Sequence, residues 1–329
     1  MRVTIQRPAL RLAAAALLLA QACAAHAADA WPARAITMIL PSGVGGTADP
    51  MARMLADEMG RRLGQAVVVQ NRAGANGNLG MSQVARSAAD GYTIIFAWTG
   101  PMATNLALYK NTGFDTQRDF APVGRIGCAP NILVVNKNLP VSNFKEFMAY
   151  TGKNGDQMSY GTTGVGSSWH VAAEMVGRKA GKPMTHIPYT GPGPAVTDLL
   201  AGRTQAIFPI VAMTVPMVRA GEVKPLAVFA STRSAVLPEV PTAAEAGYAD
   251  LVSNTCYALL APKGTPPAAI AKLNGALNEA IVSPRVAEIL KNQGLEVTAG
   301  APALLAEYLK TEIPRQAELI KAAGVTPEE

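Results

Sequence analysis

The feature that most constrains the fold is a glycine-rich turn between an apolar segment and a helical pattern near the start of the chain. Residues 35–40 are apolar and predict a buried strand, whereas residues 50–63 repeat apolar side chains at helical spacing. The turn between them, residues 41–49, reads PSGVGGTAD, and Asp49 is suited to cap the helix. Glycine lets a ligand approach the backbone closely, and the free N–H groups of a first helical turn favour an anion. The sequence therefore predicts an α/β fold with an anion-suited turn near its start.

This first glycine-rich turn fits two interpretations about equally well, an anion site and an ordinary tight turn. Two familiar phosphate-binding devices do not fit it. A P-loop ends in Gly-Lys followed by Ser or Thr, and the turn contains no lysine. A dinucleotide-binding turn is followed by a second strand that ends in an acidic residue, whereas that strand here ends in Gln70 and Asn71. Nucleotide binding is therefore not predicted.

The first 27 residues have the pattern of an export leader. Three arginines, Arg2, Arg7 and Arg11, precede the apolar residues 12–20, and Ala25-His26-Ala27 is an A-x-A cleavage site. We therefore predict a signal peptide over residues 1–27 and an exported, periplasmic mature chain, with lipid attachment at Cys23 as the alternative. Without the three leader arginines, 26 of the 29 basic residues stand against 23 acidic ones, and they form no basic run. This charge pattern gives no reason to expect a nucleic-acid partner.

Strand and helix patterns alternate along the rest of the chain, which predicts parallel sheets covered by helices. The second glycine-rich turn, residues 161–168, precedes a helical pattern and offers backbone and hydroxyl donors to an anion; ordinary capping by Ser167 or Ser168 is the alternative. Two such turns, one in each half of the chain, suit a ligand held between two lobes. We also predict a strand over residues 206–211 and, from residue 268 onward, helices that serve core packing.

Eight short motifs follow one another in a characteristic order. They are PSGVGGTAD (41–49), VVQNRAGANGN (68–78), DGYT (90–93), DFAPV (119–123), GSSWH (166–170), HIPY (186–189), LPEVPT (237–242) and LLAP (259–262). Their order and spacing resemble the Bug family, the periplasmic substrate-binding proteins of tripartite tricarboxylate transporters. The resemblance runs from about residue 31 to the C-terminus.

This resemblance implies a type II periplasmic binding-protein fold, an α/β architecture in which two crossing strands join two lobes like a Venus flytrap. It assigns residues 28–128 plus 255–329 to the first lobe and residues 129–254 to the second. It also implies a monomer that captures a small organic acid between the lobes and passes it to membrane permease subunits. A ligand sensor for a membrane signalling partner is the alternative that the sequence does not separate from transport.

An exported hydrolase is the weaker alternative, because Gly166-Ser167-Ser168 lacks the last glycine of a G-x-S-x-G nucleophile elbow. The two histidines and two cysteines that follow the leader have no metal-ligand spacing. We therefore expect a binding protein rather than an enzyme, without a metal or another cofactor.

The resemblance further implies that both glycine-rich turns contact a ligand carboxylate. The candidate ligand-binding residues are therefore Ser42, Gly43, Val44, Gly45, Gly46, Thr47, Asp49, Trp98, Thr99, Thr163, Gly164, Ser167, Ser168, His170, Tyr189 and Asp198. A structural role is the alternative for His170, and a place in the core is the alternative for Trp98. The chain departs from the family pattern at Ser42, which is usually aromatic, at Trp169, usually small, and at Pro209-Ile210, usually Asp and Asn. We therefore expect a ligand with an apolar or aromatic body in preference to citrate.

On the family's layout, the two cysteines that follow the leader lie on the two crossing strands. Cys128 ends the strand that enters the second lobe, and Cys256 lies in the strand by which the chain returns. Because an exported chain permits disulfides, the pair predicts either a disulfide bridge or two buried thiols.

Overall fold

The computed structural model describes residues 31–44 and 48–322. The predicted signal peptide, residues 1–27, lies outside the described residues, as do Gly45, Gly46 and Thr47. The strands, in chain order, are β1 (Ile36–Leu40), β2 (Val67–Asn71), β3 (Thr93–Trp98), β4 (Phe120–Pro130), β5 (Ile132–Asn136), β6 (Ser159–Thr162), β7 (Thr185–Pro188), β8 (Ala206–Ile207), β9 (Val223–Val228), β10 (Asn254–Pro262) and β11 (Glu296–Val297).

The helices alternate with these strands. They are α1 (Ala48–Leu63), α2 (Asn78–Ala85), α3 (Asn105–Leu108), α4 (Thr116–Asp119), α5 (Phe144–Asn154), α6 (Ser168–Ala180), α7 (Pro192–Leu200), α8 (Val211–Arg219), α9 (Pro267–Val282), α10 (Pro284–Asn292) and α11 (Pro302–Ala322). A π-helical turn, Gly100–Thr104, leads directly into α3. Within the described ranges, no helix combines the length and the apolar character needed to cross a membrane.

The described strands form two sheets. The first has six strands in the order β11-β4-β10-β3-β1-β2, and β1 pairs in parallel with both β2 and β3. The second has five strands in the order β7-β6-β8-β5-β9, and β6 pairs in parallel with β7 and β8. The structure thus confirms the expected α/β architecture, with antiparallel pairs added to each parallel set.

Both faces of the first sheet are covered, which explains why β1 is apolar at every position except Thr37. Met38 belongs to a core cluster with α1, α9 and α10, whereas Ile39 belongs to a cluster with α2 and α11 on the opposite face. Successive side chains of a strand point to opposite faces, so a strand covered on both sides carries apolar residues on both faces. The second sheet has a core of its own, to which α5 contributes Phe144 and Phe147.

The first helix begins one residue earlier than the cap that we predicted. It starts at Ala48, so Asp49 lies inside its first turn rather than before it. Met51, Leu55 and Met59 repeat at helical spacing and are buried, because they form the face that packs on the sheet. The carboxylate of Asp49 still lies at the positive end of the helix dipole, where a negative charge is favourable.

Two long strands cross between the sheets. β4 and β10 pair in antiparallel fashion along most of their length, and β4 passes through Asn131 into β5 of the second sheet. Cys128 and Cys256 are directly opposite each other in this pair, and the structure joins them in a disulfide with their Cα atoms 3.9 Å apart. The bridge therefore ties together the strand that leaves the first sheet and the strand that returns to it.

The predicted strand over residues 206–211 is wrong beyond its second residue. β8 ends at Ile207, and α8 begins at Val211. Pro209 has no N–H to donate to a ladder, and its carbonyl accepts a hydrogen bond from the Ile132 N–H at 2.8 Å. The apolar run is therefore a buried connection between strand and helix.

Candidate functional site

A cavity of about 270 Å³ lies between the two sheets and is lined by residues from both parts of the molecule. The first part of the molecule, built on the six-stranded sheet, contributes Ser42, Ala48, Asn76, Trp98, Thr99, Gly100, Thr104 and Gln316. The strand β10 and the residue before it contribute Ser253, Asn254, Thr255 and Tyr257. The second part of the molecule, built on the five-stranded sheet, contributes Thr163, Gly166, Ser167, Ser168, Trp169, Val171, Pro192, Ile210 and Met213. Among the described lining residues, none has a charged side chain.

Three helical segments begin at the wall of this cavity. Ala48 is the first residue of α1, Gly100 opens the π-helical turn before α3, and Ser168 is the first residue of α6. The N–H groups at a helix N-terminus lack intrahelical partners and carry the positive end of the helix dipole. The cavity is therefore suited to a carboxylate, although the described part of its wall has no basic side chain.

The second glycine-rich turn presents serines to the cavity. Ser167 caps α6, since its hydroxyl accepts a hydrogen bond from the His170 N–H at 3.3 Å, so the capping role is confirmed for this residue. The Ser168 hydroxyl accepts hydrogen bonds from Asn131 Nδ2 at 3.2 Å and from Thr255 Oγ1 at 2.9 Å. Because both of its acceptor positions are used, the Ser168 hydroxyl has its own proton left to donate toward a ligand.

Asn131 organises this wall from behind, at the point where β4 passes into β5. Its side chain is fully buried, and its amide nitrogen also donates to the Phe208 carbonyl at 2.6 Å. Its amide oxygen accepts a hydrogen bond from the Ser253 hydroxyl at 3.1 Å. Neither Asn131 nor Ser253 was predicted from the sequence; the available signal was an asparagine inside an otherwise apolar run of strand residues.

Another part of the wall is held by a chain of polar side chains from α11. Thr104 Oγ1 donates to Gln316 Oε1 at 3.0 Å, and Gln316 Nε2 donates to Glu312 Oε1 at 2.7 Å. Glu312 also accepts two hydrogen bonds from Arg315, each 2.8 Å long, so its charge is paired away from the cavity. The sequence of this helix predicts packing alone, and it does not indicate Gln316, which lies 212 positions from Thr104 along the chain.

The first glycine-rich turn reaches the cavity through Ser42. Asp49 turns its carboxylate away, to Arg53 Nε at 3.1 Å, Arg53 Nη2 at 3.0 Å and Asn71 Nδ2 at 2.9 Å. Asn71 Nδ2 also donates to the Ser42 carbonyl at 3.2 Å. We call Asp49, Arg53 and Asn71 the first-turn clasp, because together they fix the start of the turn and neutralise its carboxylate.

The structure brings only part of the predicted site together. Six predicted residues line the cavity, namely Ser42, Trp98, Thr99, Thr163, Ser167 and Ser168. Seven described residues lie outside its lining, namely Gly43, Val44, Asp49, Gly164, His170, Tyr189 and Asp198. The other three, Gly45, Gly46 and Thr47, lie outside the described residues.

Tyr189 and Asp198 bind each other instead of lining the cavity. The Tyr189 hydroxyl donates to Asp198 Oδ2 at 2.7 Å, and Arg203 donates to Asp198 Oδ1 at 2.7 Å. The hydrogen bonds from Tyr189 and then Arg203 hold the pKa of Asp198 below its usual range, whereas burial and the neighbouring carboxylate raise the pKa of Tyr189 to about 12. Both groups are thus satisfied within their own half of the molecule.

His170 is buried behind the second glycine-rich turn. Its ring lies 4.2 Å from the ring of His186 and is nearly parallel to it. Burial, and to a lesser extent His186, lowers the pKa of His170 to about 4.

The Thr99 hydroxyl already forms a hydrogen bond within the protein, since it accepts from the Cys256 N–H at 2.9 Å.

The rest of the wall is largely aromatic and aliphatic. Trp98, Trp169 and Tyr257 reach the cavity, and burial raises the pKa of Tyr257 to about 12, so that its phenol stays neutral. Ile210 lines the cavity and also packs into the core cluster of the first sheet, although its chain segment belongs to the second part. An apolar contact therefore joins the two sides of the cavity.

Known proteins are similar to this chain over nearly its whole length. The family model described as the tripartite tricarboxylate transporter family receptor matches residues 51–325. Protein BugT of Bordetella pertussis is 37% identical over 298 residues, which cover 90% of this chain and 91% of that protein.

Two solved structures extend this comparison. The periplasmic binding protein BugD is 35% identical with a TM-score of 0.80, over 91% of this chain and 100% of that chain. R. palustris Rpa4515, solved with adipate, is 34% identical with a TM-score of 0.82, again over 91% of this chain and 100% of that chain. The match confirms the two-lobed periplasmic binding-protein fold that the motifs imply.

Proposed function

Because the chain belongs to the tripartite tricarboxylate transporter receptor family, we propose that it captures a small carboxylate in the cavity and delivers it to a membrane permease. The observation that carries this proposal is the meeting of three helix N-termini at a cavity whose described wall has no charged side chain. Rpa4515, which has adipate bound, supports a carboxylate as the class of ligand. The relatives of this chain are receptors, so we expect it to bind the carboxylate without converting it chemically.

We also propose that the two sheets are the cores of two lobes, residues 28–128 plus 255–329 and residues 129–254, which close over the ligand. The support is that β4 and β10 cross between the sheets while the cavity is lined from both sides. A periplasmic location for the mature, monomeric chain is supported by the predicted leader and by the similarity to periplasmic BugD.

The ligand of this proposal carries an apolar or aromatic body behind its carboxylate. The support is the wall formed by Trp98, Tyr257 and Met213 together with Ile210. Flat or aliphatic groups gain free energy when they are buried against such side chains. The three carboxylates of citrate would instead leave charges facing an uncharged wall, where desolvation is not repaid by ion pairs.

A thermal-shift panel of adipate, hexanoate, benzoate and citrate tests both parts of the proposal. A ligand that binds only the folded chain stabilises it by about 2.7 kcal/mol at 100 times its Kd, so a true ligand raises the Tm. We expect adipate, hexanoate or benzoate to raise the Tm more than citrate does. Ser168→Ala should reduce the shift, whereas Ser87→Ala, a change at a half-buried serine that lies outside the cavity lining and donates to the Gln83 carbonyl, should not.

The two parts fail in different ways. A panel in which no acid raises the Tm contradicts carboxylate capture. A panel in which citrate gives the largest shift contradicts only the apolar body of the ligand.

A further inference from the structure

Two imidazole rings lie stacked directly behind the second glycine-rich turn. His170, in the first turn of α6, is 4% exposed, and His186 lies on β7. Their ring centroids are 4.2 Å apart with an angle of 15° between the planes, and Tyr160 of β6 stacks on His186 at 5.2 Å. This group of rings lies outside the cavity lining, so it has no part in the direct ligand contacts described above.

Both histidines form hydrogen bonds with the turn. The Gly166 N–H donates to His170 Nδ1 at 3.1 Å, which requires a neutral ring with its proton on Nε2. His186 Nε2 lies 2.7 Å from Thr162 Oγ1, and the same hydroxyl accepts a hydrogen bond from the Gly164 N–H at 3.1 Å. The two rings therefore hold the turn at residues 162, 164 and 166, directly or through one hydroxyl.

The position of this turn has little freedom on its other side. Gly166 lines the cavity and has a φ of 75°, and a Cβ atom built on it would lie 2.3 Å from Leu108 Cδ2. Leu108 is fully buried and belongs to α3, on the other side of the cavity. A small displacement of the Gly166 backbone would thus alter both the cavity wall and the contact between the two parts of the molecule.

We propose that His170 and His186 are positioning residues, which hold the second glycine-rich turn in its ligand-binding conformation and release it when the pair is protonated. The inference rests on the proposed function, since it assumes that this turn contacts the ligand.

The physical basis is the change of a hydrogen-bond acceptor into a donor. A proton on His170 Nδ1 would face the Gly166 N–H, so that two donors would meet and the bond would be lost. A second proton would place two positive rings 4.2 Å apart. At neutral pH the arrangement is stable, because burial lowers the pKa of both histidines.

Other titratable groups face the stack from the neighbouring elements. Tyr160 donates its hydroxyl to Glu174 of α6, and burial followed by that carboxylate raises its pKa, so it stays neutral. Burial raises the pKa of Glu174, opposed by the hydrogen bond from Tyr160 and by Arg178 on the same helix. Unfolded histidine takes up a proton near pH 6.5, whereas folded His170 does so near pH 4, so stability falls as the pH drops through this window.

¹⁵N NMR of the ligand-free chain, labelled at histidine and at glycine, tests the proposal. The sequence has three histidines, and His26 lies in the predicted leader, so the imidazole spectrum is simple. We expect His170 to show an unprotonated, hydrogen-bonded Nδ1 at pH 7, and we expect the Gly166 amide signal to shift with the same midpoint as His170 on acidification. A Gly166 amide that does not respond when His170 titrates would overturn the proposal.

Two substitutions separate positioning from simple structural support. His170→Asn keeps an acceptor close to the position of Nδ1 but cannot titrate, whereas His170→Leu removes the acceptor. With adipate as the probe at pH 7.5, we expect affinity about tenfold weaker than wild type for His170→Leu, and within about threefold for His170→Asn, as the loss of one buried hydrogen bond predicts. His170→Asn should also remove the acid response of the Gly166 amide.

Equal affinity in the leucine variant and the wild type would contradict a positioning role, provided that both fold. If the wild-type chain binds neither adipate nor any other acid of the panel, the proposed function fails. The NMR titration of the ligand-free chain still decides whether the histidine pair holds the turn.

Discussion

The two glycine-rich turns are similar in sequence, but different chemistry holds each of them. The first-turn clasp is an ion pair, with the Arg53 side chain 47% exposed and the Asp49 side chain 8% exposed. The second turn is held by neutral rings, of which His170 is buried. Salt screens a partly exposed ion pair, whereas a neutral imidazole acceptor is lost only on protonation. Two glycine-rich turns that look equivalent in sequence should therefore respond differently to acid and to mutation.

The largest expected effect lies outside both turns, in the paired strands β4 and β10 that carry the disulfide. Replacing Cys128 and Cys256 together by alanine removes a bridge between residues 128 positions apart. On the chain-entropy model this lowers the free energy of unfolding by about 4–5 kcal/mol, less any strain in the bridge. Urea unfolding measures the loss of stability. The double substitution should leave the two turns with their different responses to acid and to mutation.

Thiol titration of the unfolded, unreduced chain is the direct control for the bridge. We expect no free thiol from these two cysteines. Two free thiols per mature chain would show that the pair is not bonded in solution.

The next largest effect should come from the second turn itself. Gly166 and Gly164 both have a positive φ that disfavours other residues, but only at Gly166 would a Cβ meet a neighbour, at 2.3 Å. We expect Gly166→Ala to weaken carboxylate binding more than tenfold in calorimetry. Gly164→Ala is the matched control, with a backbone cost of about 1 kcal/mol and binding retained. Equal loss of affinity in both variants would show that contact with Leu108 is not the cause.

A smaller effect is expected at the first-turn clasp. Asp49→Asn keeps the shape of the side chain but removes the charge that pairs with Arg53. Since Arg53 is half exposed, we expect a loss of about 1 kcal/mol in stability and less than a threefold change in affinity, with no new dependence on pH between 5 and 7.5. Glu307→Gln, in an exposed pair with Lys310, is the control and should cost less. Abolished binding at unchanged stability would mean that Asp49 contacts the ligand.

The sequence predicted those site residues that lie where a strand ends and a helix begins. Trp98 ends β3, Ser42 lies shortly after β1, and Ser168 begins the helix that follows β6; the carboxyl ends of strands are where α/β sheets bind ligands. The order of elements was predictable for the same reason, since apolar periodicity distinguishes strand from helix.

The missed residues come from segments that only the tertiary structure brings to the cavity. Gln316 lies on a helix whose sequence indicates packing, and Thr255 lies on an apolar return strand. No local pattern reveals that a C-terminal helix meets Thr104, because the pairing depends on chain reversal between the sheets.

His170 had two interpretations in the sequence, a ligand contact and a structural role. It lies three residues before Ala173 and seven before Gly177, and all three belong to the buried face of α6. Helical spacing therefore indicated a histidine that points into the core, although its place after a glycine-rich turn suggested a ligand contact. The buried ring still serves the site in our proposal, through the Gly166 N–H.

A crystal structure of the chain with the acid that raises its Tm most tests the central claim most directly. We predict that one carboxylate lies in the cavity between the two glycine-rich turns, within hydrogen-bond distance of main-chain N–H groups from the second turn and of the Ser168 hydroxyl. A carboxylate bound elsewhere, or one that contacts only a single lobe in the closed protein, would contradict the account.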